Sequence, residues 1–137
     1  MIKIRILSIG KNKESWLDEA LKDYSDRLKR TAKIEWLFVE SNPELEKKID
    51  GHTIALDPQG KLYSSEQFSE LLLKEVEKGG SRLTFIIGGP EGLPPSFKKL
   101  PLISLSPLTF THQMARLILV EQIYRAFEID RGSPYHK

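Results

Sequence analysis

Apolar residues recur along this chain with two different periods. Ile2, Ile4 and Ile6 alternate with Lys3 and Arg5, which predicts a strand over Met1–Ile9 with one face partly exposed. Gly10 ends it, and Lys11–Lys13 form a polar connection. From Glu14 to Arg30 the period changes. Trp16, Leu17, Ala20, Leu21, Tyr24 and Leu28 fall at three- and four-residue spacings, which predicts a helix. Its opposite face carries Lys22, Asp23, Asp26, Arg27, Lys29 and Arg30, a solvated face with cations well placed at a helix carboxyl end. Ile34–Val39 is a second strand, and Ser41 or Asn42 caps a short helix over Pro43–Ile49. Thr53–Leu56 is a third strand, closed by a turn at Asp57-Pro58-Gln59-Gly60.

Ser64–Lys78 reads as a helix opened by a Ser64/Gln67 capping box and stopped by Gly79-Gly80. Leu83–Ile87 has the β-branched and aromatic character of a fully buried strand. A short helix from Pro94-Pro95 through Lys99 and a fifth strand over Pro101–Leu105 follow. The last helix runs from Thr111 to about Asp130. Met114, Ala115, Leu117, Ile118, Leu119, Val120, Ile123, Tyr124, Ala126 and Phe127 cover nearly all of its circumference. Such a helix is buried on more than one side. In a chain this short the second side predicts a partner subunit, hence a homodimer built on this helix. Alternating strands and helices predict an α/β fold with a mostly parallel sheet flanked by helices, residues 1–137 forming one domain.

Composition removes whole classes of chemistry. No cysteine is present, so disulfides, zinc–thiolate sites, iron–sulfur clusters and a cysteine nucleophile are excluded. His52, His112 and His136 lie far apart, with no metal-ligand spacing, so no metal site is expected. The net charge of +2 does not by itself point to nucleic acid. No apolar run has membrane-spanning length and the opening segment does not read as a signal peptide, so a cytoplasmic protein is expected.

Candidate chemistry gathers around Gly88-Gly89-Pro90-Glu91-Gly92, directly after the buried strand. Adjacent glycines there serve either a tight connection or a ligand that approaches the backbone closely. The common phosphate motifs and the GxSxG elbow are missing. What remains is a pocket walled by three strand ends, Leu56–Pro58, Gly88–Gly92 and Leu105–Phe110. On the last helix, Glu121 and Arg125 are spaced for an ion pair, whereas Arg116, one turn after His112, faces either the ligand turn or the partner. The tail Tyr135-His136-Lys137 holds groups that stack on a base and touch phosphate, although from residue types alone a frayed end is favoured.

Three stretches carry a resemblance to a known family: IIGGPEG, LSPLTFTHQMARLILVEQIYRAFEI and the terminal SPYHK. Together they resemble the ribosomal large-subunit methyltransferase H family of the SPOUT superfamily, and the likeness continues more loosely through RILSIGK and TIALDPQGK. The resemblance implies S-adenosylmethionine-dependent methylation of N3 of a pseudouridine in 23S rRNA, on assembled ribosomes. It also implies a homodimer and a deep C-terminal trefoil knot, which ordinary chain-connection rules argue against. Carried onto this chain, it places cofactor contacts at Leu56, Gly88 and the run Leu105, Ser106, Pro107, Leu108, Thr109 and Phe110, and polar site positions at Arg116, Arg125, Tyr135 and His136. His136 is then base or orienter and Tyr135 positions the target base. Arg125 or Arg116 stabilises the developing imide anion or holds phosphate. A tail from one subunit could complete the other's site. The chain departs from the family in a short Glu40–His52 segment and in Lys137, where arginine is common. Competing readings are a related SPOUT methyltransferase acting on another rRNA or tRNA nucleotide, and a non-catalytic ribosome-binding module.

Overall fold

A computed structural model describes residues 1–137. In chain order the elements are β1 (Ile2–Ile9), α1 (Ser15–Leu28), β2 (Ala32–Val39), α2 (Asn42–Lys48), β3 (Thr53–Leu62), α3 (Ser65–Lys78) and β4 (Arg82–Ile87). A 3-10 turn (Pro95–Lys99), β5 (Leu102–Ser104) and α4 (His112–Asp130) complete the chain. The five strands form one sheet of order β2-β1-β4-β3-β5, and every neighbouring pair is parallel. β4 lies at the centre, which is why Leu83–Ile87 is apolar but for Thr84 and shows no regular alternation: all five residues are buried.

The period-two pattern of β1 divides its side chains between two layers. Ile4 and Ile6 join Ile54, Leu83, Phe85 and Ile87 under α1, α3 and α4 in the larger core. Leu7 points the other way, to a smaller core with Val39, Ala55 and Ile86 under Leu45 of α2 and Phe97 of the 3-10 turn. From α4, Leu119, Val120 and Ile123 are fully enclosed by the larger core. Each such side chain contributes about 1.5–3 kcal/mol relative to exposure. The expected capping box of α3 is made in both directions: Gln67 N donates to Ser64 Oγ at 3.1 Å and Ser64 N donates to Gln67 Oε1 at 3.0 Å.

The third strand does not stop at Leu56. It continues to Leu62, and the expected turn is a bulge within it: both Leu56 and Lys61 pair with Ile103 of β5. Two local features make this possible. Asp57 Oδ1 accepts the Gln59 amide at 2.8 Å, which folds the extra residues outward. At Gly60 a Cβ would stand 2.6 Å from the Ile103 carbonyl carbon, so only glycine lets β5 close in.

The last helix is less uniformly apolar than its composition implied. Its solvent side is a stripe of Met114, Leu117, Ile118, Glu121, Gln122, Arg125 and Ile129, all half-buried except Met114, which is 38% exposed. The stripe is apolar at the amino end and charged toward the carboxyl end.

Candidate active site

Parallel strands deliver all their carboxyl ends to one edge of the sheet, and the crevice there is the general ligand position of open α/β folds. Here the bulge of β3 and the ends of β4 and β5 surround a cavity of ≈ 490 Å³. Leu56, Gly88, Leu105, Ser106, Leu108, Thr109 and Phe110 line it; Pro107 does not. The amino end of α4 closes it with Thr111, His112, Gln113 and Ala115. The glycine turn is tight on its own account. A Cβ on Gly88 would lie 3.1 Å from Leu93 and 3.2 Å from the Gly92 carbonyl carbon, and Gly92 has φ +81°. Gly88 has little room for a side chain and Gly92 has a backbone conformation that disfavours one, so this wall of the cavity is bare backbone. Ser104 Oγ donates to the Ser106 carbonyl and Leu108 N donates to Ser106 Oγ at 2.9 Å, which fixes the loop after β5.

Two titratable groups stand at this cavity: Asp57, inside the expected Leu56–Pro58 wall, and His112, which sequence reading placed only at the start of the last helix. Asp57, read as a turn residue, is 7% exposed and lines the wall. Burial raises its carboxyl, but the hydrogen bond from Lys98, the Gln59 amide and the Lys98 charge outweigh that and hold it below the ordinary range. His112 is held below its ordinary value by burial, then by the neighbouring charges of Arg116 and Lys13, so it is neutral at pH 7.

Arg116 faces neither the cavity nor solvent. It is fully buried, and its guanidinium donates to Ser8 Oγ at 2.8 Å, Asn12 Oδ1 at 2.6 Å, and the Ile9 and Gly10 carbonyls at 2.7 Å each. Its carbon lies 4.6 Å from the Phe38 ring centroid. Burial lowers it to about 10, only partly offset by the charge of Asp18. Arg116 therefore ties the end of β1 and the following turn to α4, beneath the amino end of the cavity. The two openings the sequence left for it, ligand and partner, are both closed by these four bonds.

The tail is docked, not frayed. Tyr135 OH donates to Glu121 Oε2 at 2.7 Å, and its ring meets Tyr124 edge-on with centroids 4.8 Å apart. Arg125 pairs with Glu121 at 2.7 Å, as its spacing predicted, and lies 4.9 Å from the Tyr135 centroid. Arg125 Nη1 stands 3.0 Å from His136 Nδ1, and His136 Nε2 stands 3.1 Å from Glu66 Oε1. A guanidinium only donates, so Nδ1 accepts and the imidazole proton sits on Nε2, directed at Glu66. Burial, then the bond to Glu121, raises the Tyr135 phenol well above its ordinary range, so it remains a hydrogen-bond donor. Thus Arg125, Tyr135 and His136 are one cluster, organised by Glu121, which sequence reading treated only as an ion-pair partner. Arg116 is not part of it.

Within one chain this cluster and the cavity do not meet. Ala115 is the last residue of α4 that lines the cavity and Arg125 lies ten residues further along the same helix, about 15 Å at 1.5 Å per residue. Elsewhere, no group of three or more His, Cys, Asp or Glu side chains is gathered to hold a metal ion, and no helix is long and apolar enough to cross a membrane.

Known proteins share this sequence and this fold. The family profile described as "Predicted SPOUT methyltransferase" matches residues 2–136. A protein of Protochlamydia amoebophila named ribosomal RNA large subunit methyltransferase H is 52% identical over the whole of both chains. One of the same name from Streptococcus sanguinis is 40% identical over 99% of this chain and all of its own. Among solved structures, a putative methyltransferase from Legionella pneumophila, in complex with the bound cofactor SAM, has the same fold. Its TM-score is 0.54 at 11% identity, over 92% of this chain and 66% of that one. TrmJ from Z. mobilis ZM4 has a TM-score of 0.52 at 10% identity, over 91% of this chain and 69% of its own. With the profile covering nearly every residue and full-length relatives at this identity, the chain belongs to the SPOUT methyltransferase family, beside the members named ribosomal RNA large subunit methyltransferase H.

Proposed function

We propose that this protein is an S-adenosylmethionine-dependent methyltransferase that acts, as a homodimer in the cytoplasm, on 23S rRNA of assembled ribosomes, at N3 of a pseudouridine. The observation that carries the reading is the convergence of Leu56, Gly88 and the Leu105–Phe110 loop on one cavity in a chain of this family. The whole chain, 1–137, works as one methyltransferase domain, and the three loops around the cavity are read as those of the family's trefoil knot.

The cavity fits such a cofactor. Its glycine turn offers backbone to a ring edge, and Leu56, Ile87, Leu105 and Phe110 offer apolar walls to a flat base. A neutral His112 does not repel a cationic ligand, and the ionised Asp57 at the wall is paired with Lys98 at 2.9 Å. When bound, the cofactor supplies a methyl group already activated by its sulfonium charge. The protein's tasks are then to position the nucleotide and to help remove the weakly acidic imide proton.

Those tasks fall to the tail cluster. Tyr135, held by Glu121 and Tyr124, presents a fixed ring and hydroxyl to the target base. Arg125 stabilises negative charge that develops on the imide. His136 Nδ1 is engaged by Arg125, so His136 orients the base in this arrangement, and becomes a proton acceptor only once that bond opens. Arg116 acts as a positioning residue, through the turn it holds.

Because the cavity and the cluster lie about 15 Å apart along α4, a second copy packed on the half-buried stripe supplies the missing half. Its tail then completes the neighbour's cavity. Each dimer carries two such composite sites.

Calorimetric titration with S-adenosylmethionine, with ATP as control, is the first test. Saturable binding of the first alone, followed by methyl transfer to ribosomes lacking this modification, is the expected result. Methylation at a different nucleotide would redirect the specificity, and absence of cofactor binding both alone and with ribosomes would leave only a ribosome-binding module. Mixed dimers of a Gly88 variant and a His136→Ala variant test site sharing. Recovery of about one site in four is expected if cavity and tail come from different subunits by random mixing; no recovery argues against sharing.

A further inference from the structure

A second cavity, ≈ 570 Å³, lies at the opposite edge of the sheet, by the amino ends of the strands. Of its eleven lining residues only two are hydrophobic, and Lys3, Arg5, Arg82, Gly79 and Thr84 are among them. It belongs to the face that α2 covers further along, where Leu7, Val39 and Ile86 are packed. Near the amino ends that face is left open.

The charges on it are arranged in rows. Lys33 of β2, Lys3 of β1 and Arg82 of β4 are register partners across three adjacent strands. Neighbouring strands are about 4.8 Å apart, so three cations stand side by side on one face. Like charges directly opposite one another destabilise a sheet. Relief within the chain is partial: Lys33 meets Glu35 at 4.0 Å, whereas the side chains of Lys3 and Arg82 have no ion-pair partner. In the next row, Arg5 donates through Nη2 to the Lys48 carbonyl at 2.9 Å, and Thr84 sits beside it. Glu35 and Asp50 are the acids among the lining residues, and His52 is turned to Glu75 at 2.7 Å.

A row of three cations, two of them without an acidic partner, on an uncovered, polar sheet face is complementary to a polyanion. We infer that Lys3, Arg82 and Lys33, with Arg5 behind them, bind the phosphate backbone of an rRNA segment separate from the one that enters the cofactor cavity. From Lys3 to Ile9, where β1 reaches the cavity edge, is six residues or about 20 Å. One nucleotide therefore cannot touch both. The contact adds affinity and orientation without reading sequence. This inference rests on the reading of the protein as an rRNA methyltransferase.

The test compares the wild-type protein, a K3Q/R82Q double variant, and a K74Q control on the exposed face of α3. Binding to ribosomes is measured as a function of salt, with cofactor affinity and thermal unfolding measured in parallel. The double variant is expected to bind ribosomes about tenfold more weakly, with the slope of log K against log salt reduced by about two. Its cofactor affinity is unchanged. Its unfolding midpoint is equal or higher, because like charges have been separated; a merely structural role would lower it. The K74Q control matches wild type. An unchanged slope and affinity in the double variant, with wild type binding normally, overturns this inference alone. Failure of the wild-type protein to bind ribosomes overturns the rRNA reading and the inference with it.

Discussion

Arg125 and Tyr135 share one acceptor. The guanidinium Nη2 and the phenolic hydroxyl both donate to Glu121 Oε2 at 2.7 Å, while the guanidinium carbon lies 4.9 Å from the Tyr135 ring centroid. A single carboxylate on α4 therefore anchors a basic side chain of its own helix and the aromatic residue of the tail. Glu121→Gln keeps the shape and removes the charge. It is expected to loosen the tail by about 1.5–3 kcal/mol, the range for hydrogen bonds to charged groups. Faster carboxypeptidase trimming and a lower methylation rate, with unchanged cofactor affinity, are the readouts. A protease-resistant tail in this variant would mean that the Tyr124–Tyr135 contact suffices.

Arg116 answers to a different kind of test. Four donors reach four acceptors on the end of β1 and the turn after it, and a lysine offers one compact ammonium in their place. Arg116→Lys is expected to lose about 2–4 kcal/mol in urea unfolding, because carbonyls and hydroxyls are left unpaired in a dry site. Since burial lowers Arg116 to about 10 in the folded chain, its titration leaves stability flat with pH below that value. Above it the unfolded chain holds the proton longer, so stability rises with pH.

His112 sets a pH dependence in the opposite range. Its folded value is lowered from 6.5 by burial and by the Arg116 and Lys13 charges. Its contribution to stability is therefore complete above 6.5 and is lost as pH falls from there through the lower folded value. A charge gained beside the cavity also opposes a cationic ligand. Cofactor affinity measured by calorimetry is expected to fall as the solution is acidified below 6.5, and His112→Gln is expected to flatten that fall.

Gly60 offers the sharpest steric test. A Cβ there would lie 2.6 Å from the Ile103 carbonyl carbon, 2.7 Å from its nitrogen and 2.7 Å from the Leu102 carbonyl carbon. Gly60→Ala pushes β5 from β3, and the loop after β5 forms a cavity wall. A loss of about 1–3 kcal/mol in stability, the usual range for overpacking, is expected together with weaker cofactor binding. Gly51 separates the two effects: a Cβ there would meet nothing within 4 Å, but its φ is +75°. Gly51→Ala strains the backbone alone and leaves cofactor binding intact.

The outer stripe of α4 is tested by charge. Ile118→Glu places an acid beside Met114 and Leu117, at the apolar end of the stripe. Light scattering is expected to report a monomer that retains cofactor binding and loses methylation.

Much of this architecture was legible where local and global preferences agree. The alternation of Ile2, Ile4 and Ile6, the β-branched and aromatic run of the central strand and the Ser64/Gln67 box each describe what their own neighbourhood does. Two of the three cavity walls were legible because parallel strands place their carboxyl ends together whatever the loops contain; the third is the bulge of β3. The rest depended on partners distant in sequence. Nothing near Asp57–Gly60 distinguishes a turn from a bulge until Ile103 approaches. Arg116 looked poised for a ligand because its partners at Ser8 and Gly10 lie more than a hundred residues away. The tail looked free because termini usually are, and Glu121 looked satisfied by Arg125 alone. An acceptor with room for a second donor leaves no mark in a sequence.

The strand order has a kinetic meaning as well. β4 separates β1 from β3, so neither of those strands has its inner neighbour until residues 82–87 exist. While the nascent chain emerges, β1 and β2 can pair around α1, but β3 must wait unpaired. The central strand then has to enter between two edges already made. Pairings of such long sequence separation put this chain among the slow folders. A chain truncated before Arg82 is expected to collapse without forming the sheet, exposing two apolar strand edges to aggregation.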